Sequence, residues 1–128
     1  MKKFSKAWIA SKKPSKQRKY RENAPLHIVS KLMHVHLSKD LRKKYGRRAI
    51  GIRKGDTVKI MRGQFRKKTG KVADVSMIRK KVLIEGIQQI RKDGTKSFYP
   101  LEPSNLMIMS LELNDKKRKM KLEKKNAS

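Results

Sequence analysis

Few side chains in this sequence have the types and spacing that catalysis or metal binding requires. The chain has three histidines and no cysteine, so a zinc site would need histidine and carboxylate ligands. His34 and His36 would reach one metal ion from a strand, but no third ligand lies at a suitable spacing. The ten acidic residues are mostly single and next to bases, which leaves no carboxylate pair for general acid–base catalysis. We therefore predict no active site, metal or cofactor.

A glycine-bounded segment, residues 58–72, has the residue types that suit phosphate binding. Its predicted loop carries the cations Arg62, Arg66, Lys67, Lys68 and Lys71, together with Gln64. Gly63 and Gly70 are able to adopt positive φ and would let an RNA backbone come close. Phe65 either stacks on an unpaired base or folds back onto the domain, and both alternatives remain open. The segment is not a P-loop, because six residues separate its glycines and no Ser or Thr follows the lysine.

The charge balance points to a polyanionic partner. The chain has 37 Lys and Arg residues against 10 Asp and Glu, a net charge of +27. Charged residues make up 37% and aromatic residues 5% of the 128 positions, so part of the chain must be solvated or ordered by a partner. Such a surplus favours nucleic acid and argues against most enzymes and any small-molecule substrate. No window holds the roughly 18–20 apolar residues of a membrane span, and we expect no membrane insertion.

Alternating apolar residues in the middle of the chain predict short strands. The predicted ranges are 57–61, 70–76, 81–85, 87–92, 95–99 and 105–109. Asp93 and Gly94 between two of them form a strong hairpin signal, and the spacing of Val72 and Val75 indicates a bulge. Strands of this length at such short intervals predict a small barrel, because an open sheet of this size would expose its edges.

A short helix over residues 38–45 is predicted ahead of the strands. Leu37, Leu41 and Tyr45 recur every four residues and therefore share a face. Ser38 has the side chain of an N-cap, and Gly46 suits the left-handed residue that ends a helix. The bases that follow lie away from the apolar face, where they can meet phosphate.

The chain divides into three parts by charge. Residues 1–50 form a basic N-terminal extension of net charge +14, residues 51–113 the barrel with +8, and residues 114–128 a basic tail with +5. The first 21 residues hold nine bases and no acid, which is also typical of an organellar transit peptide. We prefer an RNA-binding arm, because the basic run continues without a cleavage-like change in composition. A tail helix over 115–125, capped by Asn114, would be frayed or ordered only on RNA.

Residues 58–72 resemble a KOW motif, the strand–loop–strand unit of SH3-like barrels in ribosomal proteins and transcription elongation factors. Further segments follow in the order and spacing of one family: SKQRK at 15–19, APLH at 24–27, LRKKYGRR at 41–48, RKGDTV at 53–58, EG at 85–86, DG at 93–94 and PSN at 103–105. From residue 5 to residue 125 the chain resembles the large-subunit ribosomal protein family numbered twenty-four in bacteria and archaea and twenty-six in eukaryotes, in its archaeal–eukaryotic form. Glu102 stands where that family often carries histidine.

The resemblance implies a mainly β fold, a small SH3-like barrel with a KOW motif, between a basic N-terminal extension with a short helix and a basic C-terminal tail. It also implies direct binding of large-subunit rRNA, early in assembly and near the polypeptide exit tunnel, in the cytoplasm. Neighbouring large-subunit proteins are the other expected partners, and we expect no obligate homo-oligomer.

The motifs and the charge density together predict a set of rRNA contacts. These are Lys12, Lys13, Lys16, Gln17, Arg18, Lys19, Arg21, His27, Lys31, Lys43, Lys44, Arg47, Arg48, Arg53, Lys54, Arg62, Gly63, Gln64, Phe65, Arg66, Lys67, Lys68, Lys71, Ser104 and Asn105. A KOW-type transcription or translation factor is the first alternative, although 128 residues leave no room for a second partner-binding domain. A DNA-compacting protein is another alternative. An enzyme is the third, and the missing catalytic residues argue against it.

Overall fold

The chain folds around a six-stranded sheet and a separate two-stranded hairpin, in a computed structural model that describes residues 4–124. Its elements are α1 (Pro14–Asn23), α2 (Leu26–Leu32), β1 (His34–Leu37), α3 (Lys39–Tyr45), β2 (Ala49–Gly51), β3 (Thr57–Ile60), β4 (Thr69–Ser76), β5 (Lys81–Ile84), β6 (Gln88–Ile90), β7 (Lys96–Phe98), a 3-10 turn (Pro103–Asn105), β8 (Leu106–Ser110) and α4 (Lys116–Glu123). No helix in this part is long and apolar enough to cross a membrane.

The strands predicted from alternation are present, so the mainly β character of the fold is confirmed. The sheet has the order β2-β1-β8-β3-β4-β5, and β6 pairs with β7 around the predicted Asp93–Gly94 turn. All pairs are antiparallel except β1 with β8. The predicted bulge is also present, as a register shift between Val72 and Asp74 where β4 pairs with β5.

A closed barrel is not confirmed. In the described residues β2 and β5 are the two edge strands of the sheet, and they do not pair with each other. The β5 edge is partly covered, because Val82 and Leu101 exchange two backbone hydrogen bonds of 2.9 Å. This single bridge supplies some of the edge protection that ring closure was expected to provide.

Residues 34–51 contribute two strands that the sequence analysis missed. Residues 34–50 of this segment fall in the predicted extension, and Leu37 is predicted on a helix face, whereas Leu37 lies fully buried in β1. The predicted helix itself is confirmed as α3: the Ser38 hydroxyl accepts from the Leu41 N–H, and Gly46 ends the helix at φ +59°. The sheet therefore takes strands from both sides of residue 51, and the three-part division of the chain stays a prediction.

The sheet interior is built from aliphatic side chains that alternate along its strands. Val35, Leu37, Val58, Ile60, Val82, Ile84, Leu106 and Ile108 are fully buried. Leu122 of α4 is buried with them, so the described part of the tail is docked on the domain and not frayed. Its cap is Asp115, which accepts from the Lys117 N–H at 2.9 Å, and not Asn114. Residue 125 of the predicted tail helix lies outside the described residues.

A buried ion pair holds α4 against the sheet. Two guanidinium nitrogens of Arg118 each donate to a carboxylate oxygen of Asp56 at 2.7 Å, and the two side chains are 3% and 0% exposed. Arg118 also donates to the carbonyls of Glu112 at 2.8 Å and Gly51 at 3.1 Å. The Asp56 carboxylate accepts from the backbone N–H groups of Arg53 at 3.0 Å and Glu112 at 2.9 Å. Three separate parts of the chain, residues 51–56, Glu112 and Arg118 of α4, thus meet at this ion pair.

Replacing Arg118 with alanine is expected to lower the free energy of unfolding by about 3–5 kcal/mol, because it leaves the Asp56 carboxylate buried without its counter-charge. Urea denaturation monitored by circular dichroism measures this. Lys119→Ala, at an exposed neighbouring position of α4, is the matched control and should change stability by less than about 0.5 kcal/mol. Equal effects of the two substitutions would show that the pair does not anchor the helix.

Candidate nucleic-acid interface

The predicted phosphate-binding loop is a compact, hydrogen-bonded connection between β3 and β4. The Lys67 N–H donates to the Ile60 carbonyl and the Ile60 N–H donates to the Lys68 carbonyl, both at 2.9 Å. Within the loop, the Arg66 N–H donates to the Gly63 carbonyl at 3.2 Å. Gly63 has φ +99° and Lys67 has φ +71°, so the predicted positive φ is found at Gly63.

The charges of this segment are exposed and unneutralised. Its cations, each at the surface, are Arg62, Arg66, Lys67, Lys68 and Lys71. None of them forms an ion pair with a carboxylate of residues 4–124. The field in front of the loop is therefore positive and free to attract an anion.

Phe65 packs onto the domain and does not project from the loop. Its half-buried ring lies against Tyr99, with the ring centroids 5.1 Å apart and the planes at 61°. The ammonium group of Lys68 lies 5.2 Å from the Phe65 centroid, within the range of a cation–π contact. The structure thus favours the packing alternative, in which Phe65 anchors the loop and helps to position Lys68.

The structure brings the loop together with a turn that is distant in sequence. The Met61 N–H donates to the Asn105 carbonyl at 2.7 Å. A shallow groove beside the loop is lined by Arg62, Gly63, Gln64, Phe65, Lys81, Tyr99, Pro100, Leu101, Glu102 and Asn105. We call residues 61–68 with Ser104 and Asn105 the loop face. The two predicted sites on it, more than 30 residues apart along the chain, form one surface.

Glu102 is the acidic residue at the border of the loop face. Its carboxylate pairs with the Lys81 ammonium and lies 3.8 Å from the Arg21 guanidinium. The end of α1 therefore lies beside the turn, and the negative charge of Glu102 is balanced by two cations. The surroundings of the loop stay positive despite this carboxylate.

A second group of predicted contacts lies around the end of α3. It comprises Lys43, Lys44, Arg47 and Arg48, of which Arg47 is half-buried and the others are exposed. Arg47 donates to the Lys121 carbonyl at 2.7 Å, so α4 lies alongside and adds its own exposed lysines. No α4 residue is among the predicted contacts, although the +5 charge of residues 114–128 is a sequence signal for them.

His34 and its neighbours form a third basic region, in a cleft between the sheet and α4. Partial burial lowers the pKa of the His34 imidazole, and the charges of Lys121, Arg47 and Lys31 lower it further. The imidazole is therefore protonated only at a lower pH than an ordinary histidine side chain. Across residues 4–124 no three histidine or acidic side chains are grouped so that they could hold a metal ion. The predicted contacts His27 and Lys31 are exposed on α2.

The predicted contacts of the N-terminal arm lie on or just before a helix that the sequence analysis did not predict. Lys12 and Lys13 precede α1, and the helix carries Lys16, Gln17, Arg18, Lys19 and Arg21, all exposed. Gln17 donates to the Ser11 carbonyl at 2.6 Å. No side chain of α1 is buried. Pro14 at the first helical turn was the sequence signal for its start.

Besides Arg21, two further predicted contacts already have carboxylate partners. Arg53 pairs with Asp115, and Lys54 pairs with Asp74 at 2.8 Å. The hydrogen bond from Lys54 lowers the pKa of the Asp74 carboxyl. The Lys117 backbone N–H is the largest cause that lowers the pKa of the Asp115 carboxyl, and the Arg53 charge also contributes. A phosphate at either cation has to compete with an ionised carboxylate.

Gly70 is required by packing and not by a positive φ. A Cβ atom at this position would lie 2.6 Å from the Ile84 Cγ2 and 2.9 Å from the Glu85 carbonyl oxygen. The expectation that Gly70 supplies a positive φ for phosphate approach is therefore wrong. Its bare Cα lets β4 and β5 approach each other closely next to the loop.

Comparison with protein families adds one finding to this geometry. The model of a family described as ribosomal proteins, comprising the eukaryotic protein numbered twenty-six and the archaeal protein numbered twenty-four, matches residues 11–125. All predicted contacts, from Lys12 to Asn105, fall inside the matched segment. Phe4 and Trp8 precede it.

Gly70→Ala is expected to lower the free energy of unfolding by about 1–3 kcal/mol, because the new methyl group overpacks the contact with β5. Thermal and urea denaturation measure the change. Gly51→Ala is the matched control, since its Cβ would lie at an ordinary 3.7 Å from the His34 ring. A tolerated Gly70→Ala with unchanged stability would contradict the packing role.

Proposed function

The chain belongs to the family of large-subunit ribosomal proteins numbered twenty-six in eukaryotes and twenty-four in archaea, and we propose that it binds large-subunit rRNA directly. Membership makes it a structural component of the large ribosomal subunit, and the family is structural rather than enzymatic. The observation that supports rRNA binding most strongly is the loop face, where exposed cations without carboxylate partners in residues 4–124 lie beside the Pro103–Asn105 turn. The match gives no support to a transcription factor.

The proposed recognition is of RNA shape. A-form duplexes display phosphates and 2′-hydroxyls more readily than base edges. The loop cations contact phosphates, while Gly63, which has no side chain and an open surface, lets the backbone approach. Release of counterions then supplies much of the affinity. If about ten phosphates are neutralised, the logarithm of the association constant falls with the logarithm of the salt concentration, with a slope of roughly −7 to −9.

The finer description of the fold belongs to the same proposal. β3, the loop and β4 correspond to the KOW motif, and β3, β4, β5 and β8 with the Val82–Leu101 bridge correspond to the SH3-like barrel. Residues 51–113 carry this unit. Residues 1–50 and 114–128 add basic surface to it, together with the strands β1 and β2.

The N-terminal arm extends the contact beyond the loop face. Its helix has no buried side chain, so its cations other than Arg21, which pairs with Glu102, are available to follow an RNA groove or to lie between two RNA helices. The rest of the proposal follows from the family resemblance. The protein binds early in assembly, in the cytoplasm, near the polypeptide exit tunnel and in contact with neighbouring large-subunit proteins.

Neutralising the loop by Arg66→Gln, Lys67→Gln and Lys68→Gln together is expected to weaken rRNA binding and to make the salt slope shallower by about 2–3, because up to three phosphate contacts are lost. Filter binding to a large-subunit rRNA fragment over a salt series measures both. The matched control replaces three cations of the β6–β7 hairpin with glutamine, namely Arg91, Lys92 and Lys96. It removes the same charge from exposed positions. Equal slopes for the two triple variants would refute a specific role for the loop.

Deleting residues 1–21 is expected to weaken rRNA binding roughly tenfold or more at moderate salt, because nine cations are removed. The sheet should stay folded, since the buried core begins at Val29. Filter binding and circular dichroism on the truncated chain test this. Unchanged affinity would exclude the arm as a major contact.

A further inference from the structure

Three aromatic side chains cluster in the N-terminal arm, away from the sheet. Trp8 and Tyr20 stack with ring centroids 4.0 Å apart and planes at 17°, and Phe4 lies 5.2 Å from Tyr20 at 37°. None of the three belongs to the hydrophobic core of the described residues. The cluster holds the segment before α1 against α1 itself, and the fold of the sheet does not account for it.

An open groove of about 520 Å³ lies along this cluster. Its lining consists of Phe4, Ser5, Trp8, Lys16, Lys19, Tyr20 and Asn23. The four lining residues of α1 follow the i, i+3, i+4, i+7 spacing of one helix face. That face therefore presents one aromatic ring, two lysines and one amide to the same space, and the volume is in the range of small-ligand sites.

We propose that this aromatic groove binds one unpaired nucleotide of RNA, with the base against the rings and a flanking phosphate at Lys16 or Lys19. The proposal rests on the rRNA binding proposed above and adds a different mode, because the loop face meets the RNA backbone whereas the groove takes a base. Aromatic side chains accept any base through its π face, and lysines hold the phosphates on either side.

The positive charge of the groove favours a nucleotide over a peptide as its ligand. The groove lining has two lysines and no carboxylate among the described residues, and Lys12, Lys13 and Arg18 are exposed next to it. A nucleotide supplies the counter-charge for the two lysines, whereas an apolar peptide would leave them without one.

Trp8 is the only tryptophan of the chain, so its fluorescence reports on the groove directly. The full chain is titrated separately with a short single-stranded oligoadenylate, a duplex RNA of the same length, inorganic polyphosphate and a short apolar peptide. The single strand should change the emission of Trp8 at saturation. The duplex and polyphosphate should bind through charge and leave the emission nearly unchanged.

Variants test the same point by filter binding. Trp8→Ala and Tyr20→Ala are expected to weaken binding of the single strand by about fivefold or more while duplex binding stays the same. Phe98→Ala removes an exposed aromatic ring outside the groove. It should change neither the affinity for the single strand nor the affinity for the duplex. Circular dichroism checks that the sheet is intact in each variant.

The outcomes separate this inference from the proposed function. If rRNA binds but single strands leave Trp8 emission and the Trp8→Ala affinity unchanged, the groove proposal is wrong and the proposed function stands. A response to polyphosphate equal to that of oligoadenylate also overturns it, since charge alone would then explain the signal. If no RNA binds at all, the proposed function fails as well. An emission change produced only by an apolar peptide would overturn the nucleotide proposal and make the groove a protein site.

Discussion

The docking of the cationic helix α4 depends on one buried contact, between Asp56 and Arg118. In a chain with a net charge of +27, Asp56 is the one carboxylate buried in the described part, and it meets backbone or side-chain donors from both sides of β3 and from α4. A buried pair contributes little net stability relative to apolar residues, but it is costly to break and therefore specifies one arrangement. The docking of α4, and with it the basic surface around His34, follows from this pair.

Almost all other charged side chains lie outside the aliphatic interior of the sheet. Valine, isoleucine and leucine fill the sheet, whereas the lysines and arginines lie outside with only a few carboxylate partners in the described residues. Self-repulsion of such a surface opposes the compact state. A bound polyanion removes this repulsion, so the surface proposed to bind RNA and the stability of the fold are linked.

Alternation and turn residues were sufficient to predict the central strands, α3 and the cationic loop, because these signals are local. β1 was missed although His34 to Leu37 alternate, since Leu37 also fits the helical spacing of Leu41. The roles of Arg118 and Phe65 depend on partners far away in sequence, Asp56 at a separation of 62 residues and Tyr99 in the segment that bridges to β5. The contact that joins the loop to the Pro103–Asn105 turn is likewise a backbone hydrogen bond, and no residue type encodes it.

The parallel pairing of β1 with β8 has a consequence for the order in which the protein can fold during its own synthesis. His36 and Leu37 pair with Met107 and Ile108, so the middle of the sheet joins an early strand to a late one. Until β8 has been translated, β1 and β2 form at most a lone hairpin, which is marginal in water. The sheet is therefore completed only after β8 has left the ribosome, and this last step depends on contacts between distant parts of the chain, which form slowly.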